Sequence, residues 1–216
     1  MTEQQERISM NRALEEARLR GLHWRVWWLS AMGVFLDGFD LFIIGVALPL
    51  IAREFSPDPF ITGLIGASAV LGSVLGGFLG GRFTDRYGRK SLYLVDLGFF
   101  IVFGLLSAVS RDVWSLILFR FLLGVGVGVD YPICASYVSE FMPSRIRGKM
   151  LIGAFSFQAV GMLSGAVVGV IILHLFPDSE AWRWMLGAGV VPAAIVLIMR
   201  TTVPESPRWL IDKGEF

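Results

Sequence analysis

Residues 26–51, VWWLSAMGVFLDGFDLFIIGVALPLI, constrain this chain more than any other stretch. They are apolar almost throughout, and about 20 apolar residues at about 1.5 Å of rise each suffice to cross a bilayer core. Lipid offers no partner to backbone N–H and C=O groups, so such a segment is expected to cross as a helix. Two aspartates, Asp37 and Asp40, stand near its middle. A carboxylate at that depth is costly unless it is paired, hydrated or protonated. Three residues apart, the two lie on nearly the same helix face. Either they bond to neighbouring helices and set register, or that face lines a polar path for a proton, an ion or a solute.

The rest of the chain has the same character. Hydrophobic residues make up 55% and charged residues only 17%, where a soluble domain carries about a quarter. A net charge of +1 argues against nucleic acid as a partner, because the phosphate backbone calls for a basic face. The one cysteine, Cys134, lies in an apolar segment and offers neither a disulfide framework nor a zinc spacing. Residues 1–25 are hydrophilic, without the apolar core or cleavage site of a secretory signal. They read as a cytoplasmic tail, with Glu15/Arg18 and Glu16/Arg20 at helical spacing.

Polar breaks divide the remainder into six expected spans at 26–51, 61–83, 92–109, 113–137, 150–176 and 184–203. With the first residues inside the cell, fifteen lysines and arginines fall on inner segments, Arg200 counted among them, and three on outer loops (Arg53, Arg111 and Arg183). This asymmetry places both ends of the bundle in the cytoplasm. The tryptophans (24, 27, 28, 114, 182, 184 and 209) all fall near span ends, where amphipathic rings prefer the interface.

The spans repeat. Gly72, Gly76 and Gly80 stand four apart in the second, and Gly161, Gly165 and Gly169 four apart in the fifth. Small residues at that spacing let two helices approach closely. Acids recur in the first span (Asp37, Asp40) and the fourth (Asp130). Spans 1–3 therefore match spans 4–6, inverted across the membrane because three is odd, as in many transporters. Glycine is common in spanning helices, but that accounts for one such run more easily than two.

Four loop and helix motifs narrow the reading. GRFTDRYGRK (81–90) resembles the cytoplasmic motif of the major facilitator superfamily, a glycine, three residues and then D-R-x-G-R-[RK]. RFLLGVGVG (120–128) resembles the fourth-span motif of its sugar-porter-like branch. SEFMPSRIRG (139–148) and PESPRWL (204–210) resemble the motifs after the fourth and sixth spans. The chain is identified as a member of that superfamily. The resemblance implies an all-α integral membrane fold, a six-transmembrane-helix bundle at 26–203 forming the N-terminal half with inverted 3+3 repeats. It also implies that 204–216 begin a cytoplasmic linker to a second six-helix half. GVGVGVD mimics a dinucleotide-binding loop, but that loop needs a strand before it and a helix opening after it, and here the glycines lie inside a helix.

Finer likeness is to phosphate:proton symporters and related organic-acid and sugar porters. It is carried by FLDGFDLFII (35–44), GRKSLYLVDL (88–97) with Asp96, GVDYP (128–132) with Asp130 and Tyr131, and FSFQAVG (155–161) with Gln158. The phosphate carriers imply acids at three helices for the proton, with Tyr131 and Gln158 for the anion. The sugar porters imply instead that Asp40 pairs with Arg120. Rise arithmetic puts these two at depths of about 16 and about 10 Å from the outer surface, a gap an arginine can span. Protonating Asp40 would release Arg120, although a permanent structural pair is the other reading. Asp37 is expected one turn deeper, in a water-filled cavity. Asp130 is a candidate relay or inner gate beside Pro132, which should loosen the helix. Asp96 either joins the relay or snorkels to the cytoplasmic surface. Asp85, Arg86, Arg89, Glu140, Arg147, Glu205 and Arg208 are implied to form cytoplasmic ion pairs that close the inner side and break as the halves rock.

The expectation is a secondary active transporter in the cell membrane (inner or plasma), moving a small polar solute by proton-coupled symport and alternating access. Phosphate, organic acid and sugar all remain candidate solutes. The rival is a non-transporting solute sensor or scaffold that kept the fold. No HExxH or GxSxG constellation points to an enzyme, and no cofactor is implied. Cysteines placed at Thr84 and Ser144 should react from the cytoplasmic side only, and one at Pro57 only from outside. Labelling of position 84 by an impermeant reagent added to intact cells would overturn the orientation.

Overall fold

The structure, a computed structural model, describes residues 21–204 apart from the side chains of residues 85 and 87. Seven helices follow in order: α1 Gly21–Phe55, α2 Pro59–Tyr87, α3 Arg89–Ala108, α4 Val113–Phe141, α5 Arg147–Leu175, α6 Ala181–Ala188 and α7 Val190–Arg200. They make six spans, because α6 and α7 together form the sixth. The division at Gly189 has a local cause. Pro192 has no N–H to offer the carbonyl of Ala188, so the hydrogen-bond ladder lapses there. Residues 21–25, expected in the tail, form the opening turns of α1.

The loops carry the chemistry that starts and stops helices. Asp58 caps α2 by accepting the Phe60 N–H at 2.8 Å, with Pro59 at the first helical position. Asp112 caps α4 through the Ser115 N–H at 2.9 Å. Gly88, at φ 88°, turns the chain sharply between α2 and α3 in a region that favours glycine. Pro132, expected to loosen its helix, does not interrupt α4. Gly80 of α2 lies against Val129 and Pro132 and supports the helix at that point.

The most extensive packing pairs α2 with α4 and α1 with α5. Exchanging spans 1–3 with spans 4–6 turns one pair into the other, as an inverted repeat requires. The glycine ridges lie at these crossings. A side chain at Gly72 or Gly76 would run into the backbone of Phe121 and Val125, and one at Gly161 or Gly165 into the backbone of Phe35 and Phe39. The partners answer in kind. Gly124 and Gly128 of α4 abut the carbonyls of Ala69 and Ser73, and Gly38 of α1 abuts that of Gln158. Backbones meet because neither helix has a side chain in the way.

Tyr93, Leu97, Phe100, Leu123, Leu36 and Tyr137 fill the half of the interior nearer the α2–α3 turn, and Ile43, Ile51, Leu116, Trp182 and Met185 the half nearer the α1–α2 turn. Val74 and Phe78 of α2, and Ile152 and Leu163 of α5, point outward as an apolar surface. Trp24 and Trp28 are about half exposed near a span end, as interfacial rings should be. Trp182 departs from that pattern. It is wholly buried, and its indole donates to Glu54. Thr84 is also buried, bonded to the Gly80 carbonyl, so a cysteine there reports poorly on sidedness and Ser144 carries the test.

Leucine at Gly76 or Gly165 should force the crossing helices apart, at about 1 to 3 kcal/mol by analogy with overpacked soluble cores. Gly45→Leu, where an added side chain begins with nothing within 4 Å, should leave the melting temperature in detergent unchanged. Equal melting of all three variants would show that the ridges are not packing surfaces.

Candidate functional site

Two buried charge clusters stand inside the bundle, one toward each side. In the outer one, the GFD segment of α1 carries Asp40 inward and the first half of α4 carries Arg120. The guanidinium Nη1 donates to Asp40 Oδ1 at 2.6 Å. Both residues are buried, Arg120 at 1% exposure, and the Nε and Nη2 of Arg120 have no partner. A guanidinium out of water with two donors unmet is held by geometry at a cost in stability. The resemblance to sugar porters implies this contact, and the pair links the first span of each repeat.

The inner cluster is built around a residue that sequence reading counted as a cytoplasmic loop charge. Arg200, the last residue of α7, is wholly buried. Its Nη1 donates to Asp96 Oδ2 at 2.8 Å and to the Tyr93 carbonyl at 2.9 Å, and its Nη2 to Asp130 Oδ1 at 2.9 Å. The guanidinium also lies over the Tyr93 ring, 3.5 Å from its centre. Asp96 therefore does not snorkel. It is buried, one oxygen bonded to Arg200 and the other accepting the Leu97 N–H at 2.6 Å. Asp37 and Asp130 each keep one buried oxygen, Oδ2, without a partner. With Asp96 they line a cavity of about 10 Å³, close to one water molecule in size rather than the wide aqueous space expected at Asp37. Gly33 of α1 makes room for the cluster, since a methyl group there would meet the Arg200 guanidinium and the Asp130 carboxylate.

Tyr131 and Gln158 are brought together between α4 and α5. The amide Nε2 donates to the tyrosine oxygen at 2.7 Å, and the ring stacks on Phe155. Each is half-buried, so the pair can exchange its mutual bond for one to a hydroxyl or an oxyanion.

At the end of the bundle that holds the α2–α3 turn, Arg89 at the start of α3 bonds Glu140 near the end of α4 at 2.6 Å. Arg147 Nη2 reaches the Met142 carbonyl at 3.5 Å, turning the loop that leads into α5. Arg86 lies in the last turn of α2. The side chain of Asp85, together with Glu205 and Arg208, lies outside the described residues.

Two features escaped the sequence reading. Arg200 was counted with the inner charges although the expected sixth span, 184–203, contains it; the run AAIVLIMR, an unbroken apolar stretch ending in a cation, was the available signal. At the opposite end of the bundle, Arg183 bonds Glu54 at 2.8 Å and the Ser110 carbonyl at 2.5 Å, and so ties α1, the end of α3 and the start of α6 together. Nothing in the spacing of these residues announces that contact.

Comparison with known proteins agrees with this architecture. A family model described as "Sugar (and other) transporter" matches residues 26–216. The putative metabolite transport protein YwtG of Bacillus subtilis is 35% identical over 190 residues, covering 88% of this chain and 41% of its own length. The benzoate transport protein of Acinetobacter baylyi is 32% identical over 211 residues, covering 95% of this chain and 44% of its own. The xylose transporter XylE from E. coli, in a partially occluded inward-open conformation, superposes with a TM-score of 0.84 at 25% identity, over 90% of this chain and 53% of that one. The chain thus spans about half the length of the relatives it matches. It is a multi-pass membrane protein with the six-helix N-terminal half of the major facilitator fold, and it belongs to the sugar (and other) transporter family.

Proposed function

We propose that this chain is the proton-handling half of a secondary active transporter that carries a small polar solute by proton-coupled symport. The observation that supports this most directly is the Asp40–Arg120 pair, held at 2.6 Å inside the bundle with two guanidinium donors unmet. A proton on Asp40 removes the charge that holds Arg120, which then needs another partner. In the ionised state the pair is closed. A contact whose strength depends on proton occupancy is the element a gradient can act on.

Alternating access requires a second six-helix half, reached through the linker that begins at Pro204. The two halves enclose the solute path near mid-membrane, where Tyr131 and Gln158 supply hydrogen bonds. The Arg89–Glu140 pair, with Asp85, Arg86, Arg147, Glu205 and Arg208, closes the cytoplasmic side. Arg89 and Glu140 are largely buried, so opening must re-solvate or re-pair both charges as the loops separate. The lysine and arginine distribution orients the bundle with both ends in the cytoplasm of a cell that carries it in its inner or plasma membrane. The work is transport, with no chemical step and no cofactor.

The solute class follows from the donors within reach. Arg120 and Arg200 are both engaged by aspartates, so an anion has no free cation near mid-membrane among the described residues until a proton releases one. That favours co-arrival of proton and anion, as for a carboxylate or phosphate. A sugar would need only the Tyr131 and Gln158 hydrogen bonds. The named substrates of the benzoate and xylose relatives fit these two cases in turn.

Proteoliposomes of the complete transporter, with and without an inward proton gradient and with labelled benzoate, phosphate and xylose, test the reading. The parent should accumulate at least one probe only when the gradient is present. Asp40→Asn mimics the protonated residue permanently, so it should still exchange that probe across the membrane yet fail to concentrate it. Asp37→Asn should weaken apparent affinity more than coupling. Parental accumulation by Asp40→Asn would transfer the proton role to Asp37, Asp96 or Asp130. Failure of every probe to accumulate in the parent would favour a sensor or scaffold.

A further inference from the structure

We infer that the cleft between α2 and α3 binds one anionic phospholipid, an acyl chain lying in the cleft and the phosphate held at Arg82. The inference rests on the reading above only for the side on which the second half sits. Both helices pack on α4 but touch each other little, so a cleft stays open between them over α4. Its volume is about 280 Å³, and it is lined by Leu79 and Phe83 of α2, Leu92 and Phe99 of α3, and Val125 and Val129 of α4. Gly126 deepens the floor, where a side chain would run into Phe99 and the Asp96 carbonyl. Asp96 also borders the cleft, but both its carboxylate oxygens are bonded elsewhere and ask nothing of an occupant. From Leu92 to Phe99 the cleft follows α3 for about 10 Å, seven steps of about 1.5 Å. An apolar slot of that form suits a hydrocarbon chain and offers a polar solute nothing to bond.

Position decides what can enter. Tyr131, on the proposed solute path, stands two, five and six residues beyond Val129, Gly126 and Val125. At about 100° of turn per residue, those three lie on the far side of α4 from it. The cleft therefore opens away from the second half and onto the bilayer. Val95 and Phe83 at its lips are 49% and 43% exposed. The charge at one end selects among lipids. Residues 81–90, which join α2 to α3, carry four cations and one acid. Arg89 is engaged by Glu140. Arg82 stands beside Phe83 and three residues past Leu79, exposed and without an ion pair among the described residues. Arg86, one turn past Phe83, is exposed on the same side and adds to the positive field. An arginine stem can lie along apolar surface while its head reaches the headgroup level, and its planar fork fits a phosphate.

The test is photo-cross-linking of the complete transporter in vesicles of phosphatidylcholine and phosphatidylglycerol. A trace of one lipid or the other carries a photoactivatable acyl chain, and the cross-linked residues are read by peptide mass spectrometry. The phosphatidylglycerol probe should mark Leu79, Val95 and Phe99 more heavily than Ile195 and Ile198 of α7, which are more exposed than Val95 but line no cleft. Unlabelled phosphatidylglycerol should displace the cleft signal before the α7 signal. Arg82→Gln should cut the preference for phosphatidylglycerol over phosphatidylcholine by about fivefold, the contribution of one cation near an anionic headgroup, and Arg82→Lys should keep it. Val95→Trp, which fills the mouth, should lower marking of Leu79 and Phe99 by both probes; where it does not fold, the surface substitution Arg82→Gln still decides. Marking spread evenly over the cleft and α7, or a preference unchanged in Arg82→Gln, would overturn the lipid site. Marking of α7 with none in the cleft by either probe would show instead that protein covers it, and would overturn the placement of the second half as well.

Discussion

Ionised groups inside this bundle must find their counter-charges on other helices, and the rest of the structure depends on that constraint. Water is not at hand to solvate a buried aspartate, so each carboxylate fixes the position of a second helix through an arginine. Asp40 fixes α1 against α4 through Arg120, and Asp96 with Asp130 fixes α3 and α4 against α7 through Arg200. Such contacts are poor sources of net stability, because desolvation offsets most of the attraction. What they provide is a specific arrangement of helices.

Apolar packing supplies the frame on which these pairs can be strained. Two glycine-lined crossings, α2 on α4 and α1 on α5, bring backbones into direct contact and hold the central helices rigidly. Close backbone packing between spans costs little in lipid when small residues face one another. It also leaves α3 and the sixth span, which carry Asp96 and Arg200, packed through larger side chains such as Tyr93, Leu97 and Phe100. The division of labour is physical. Rigid crossings carry the scaffold, and the charge clusters sit where a shift of one side chain changes what an adjoining helix can bond.

Much of this was legible in the sequence, and for identifiable reasons. Span number, the glycine ridges and the inverted repeat follow from periodicities that each residue satisfies locally. The Asp40–Arg120 contact was implied by the resemblance to sugar porters, and the depth difference of about 6 Å is one that an arginine side chain can span. Arg200 could not be placed that way. A cation at the end of an apolar helix is equally consistent with a solvated loop, and only the arrival of α3 and α4 around it decides. Asp96 was ambiguous for the same reason, because its choice between the surface and the interior depends on Arg200. The Glu54–Trp182–Arg183 contacts join residues more than a hundred positions apart with no periodicity between them. Pro132 looked like a break when read alone, yet α2 supports the helix across it.

The central claim is that a buried aspartate of this bundle exchanges a proton within the range of pH a cell experiences. Infrared difference spectra of the reconstituted transporter, recorded between acidic and alkaline buffer in ordinary and heavy water, measure this directly and need no solute. A carboxylic acid C=O stretch should appear in the acid state, shift on deuteration as a buried acid does, and lose amplitude in Asp40→Asn. Spectra containing only ionised carboxylate bands across the range, or an acid band unchanged by Asp40→Asn, would contradict the claim.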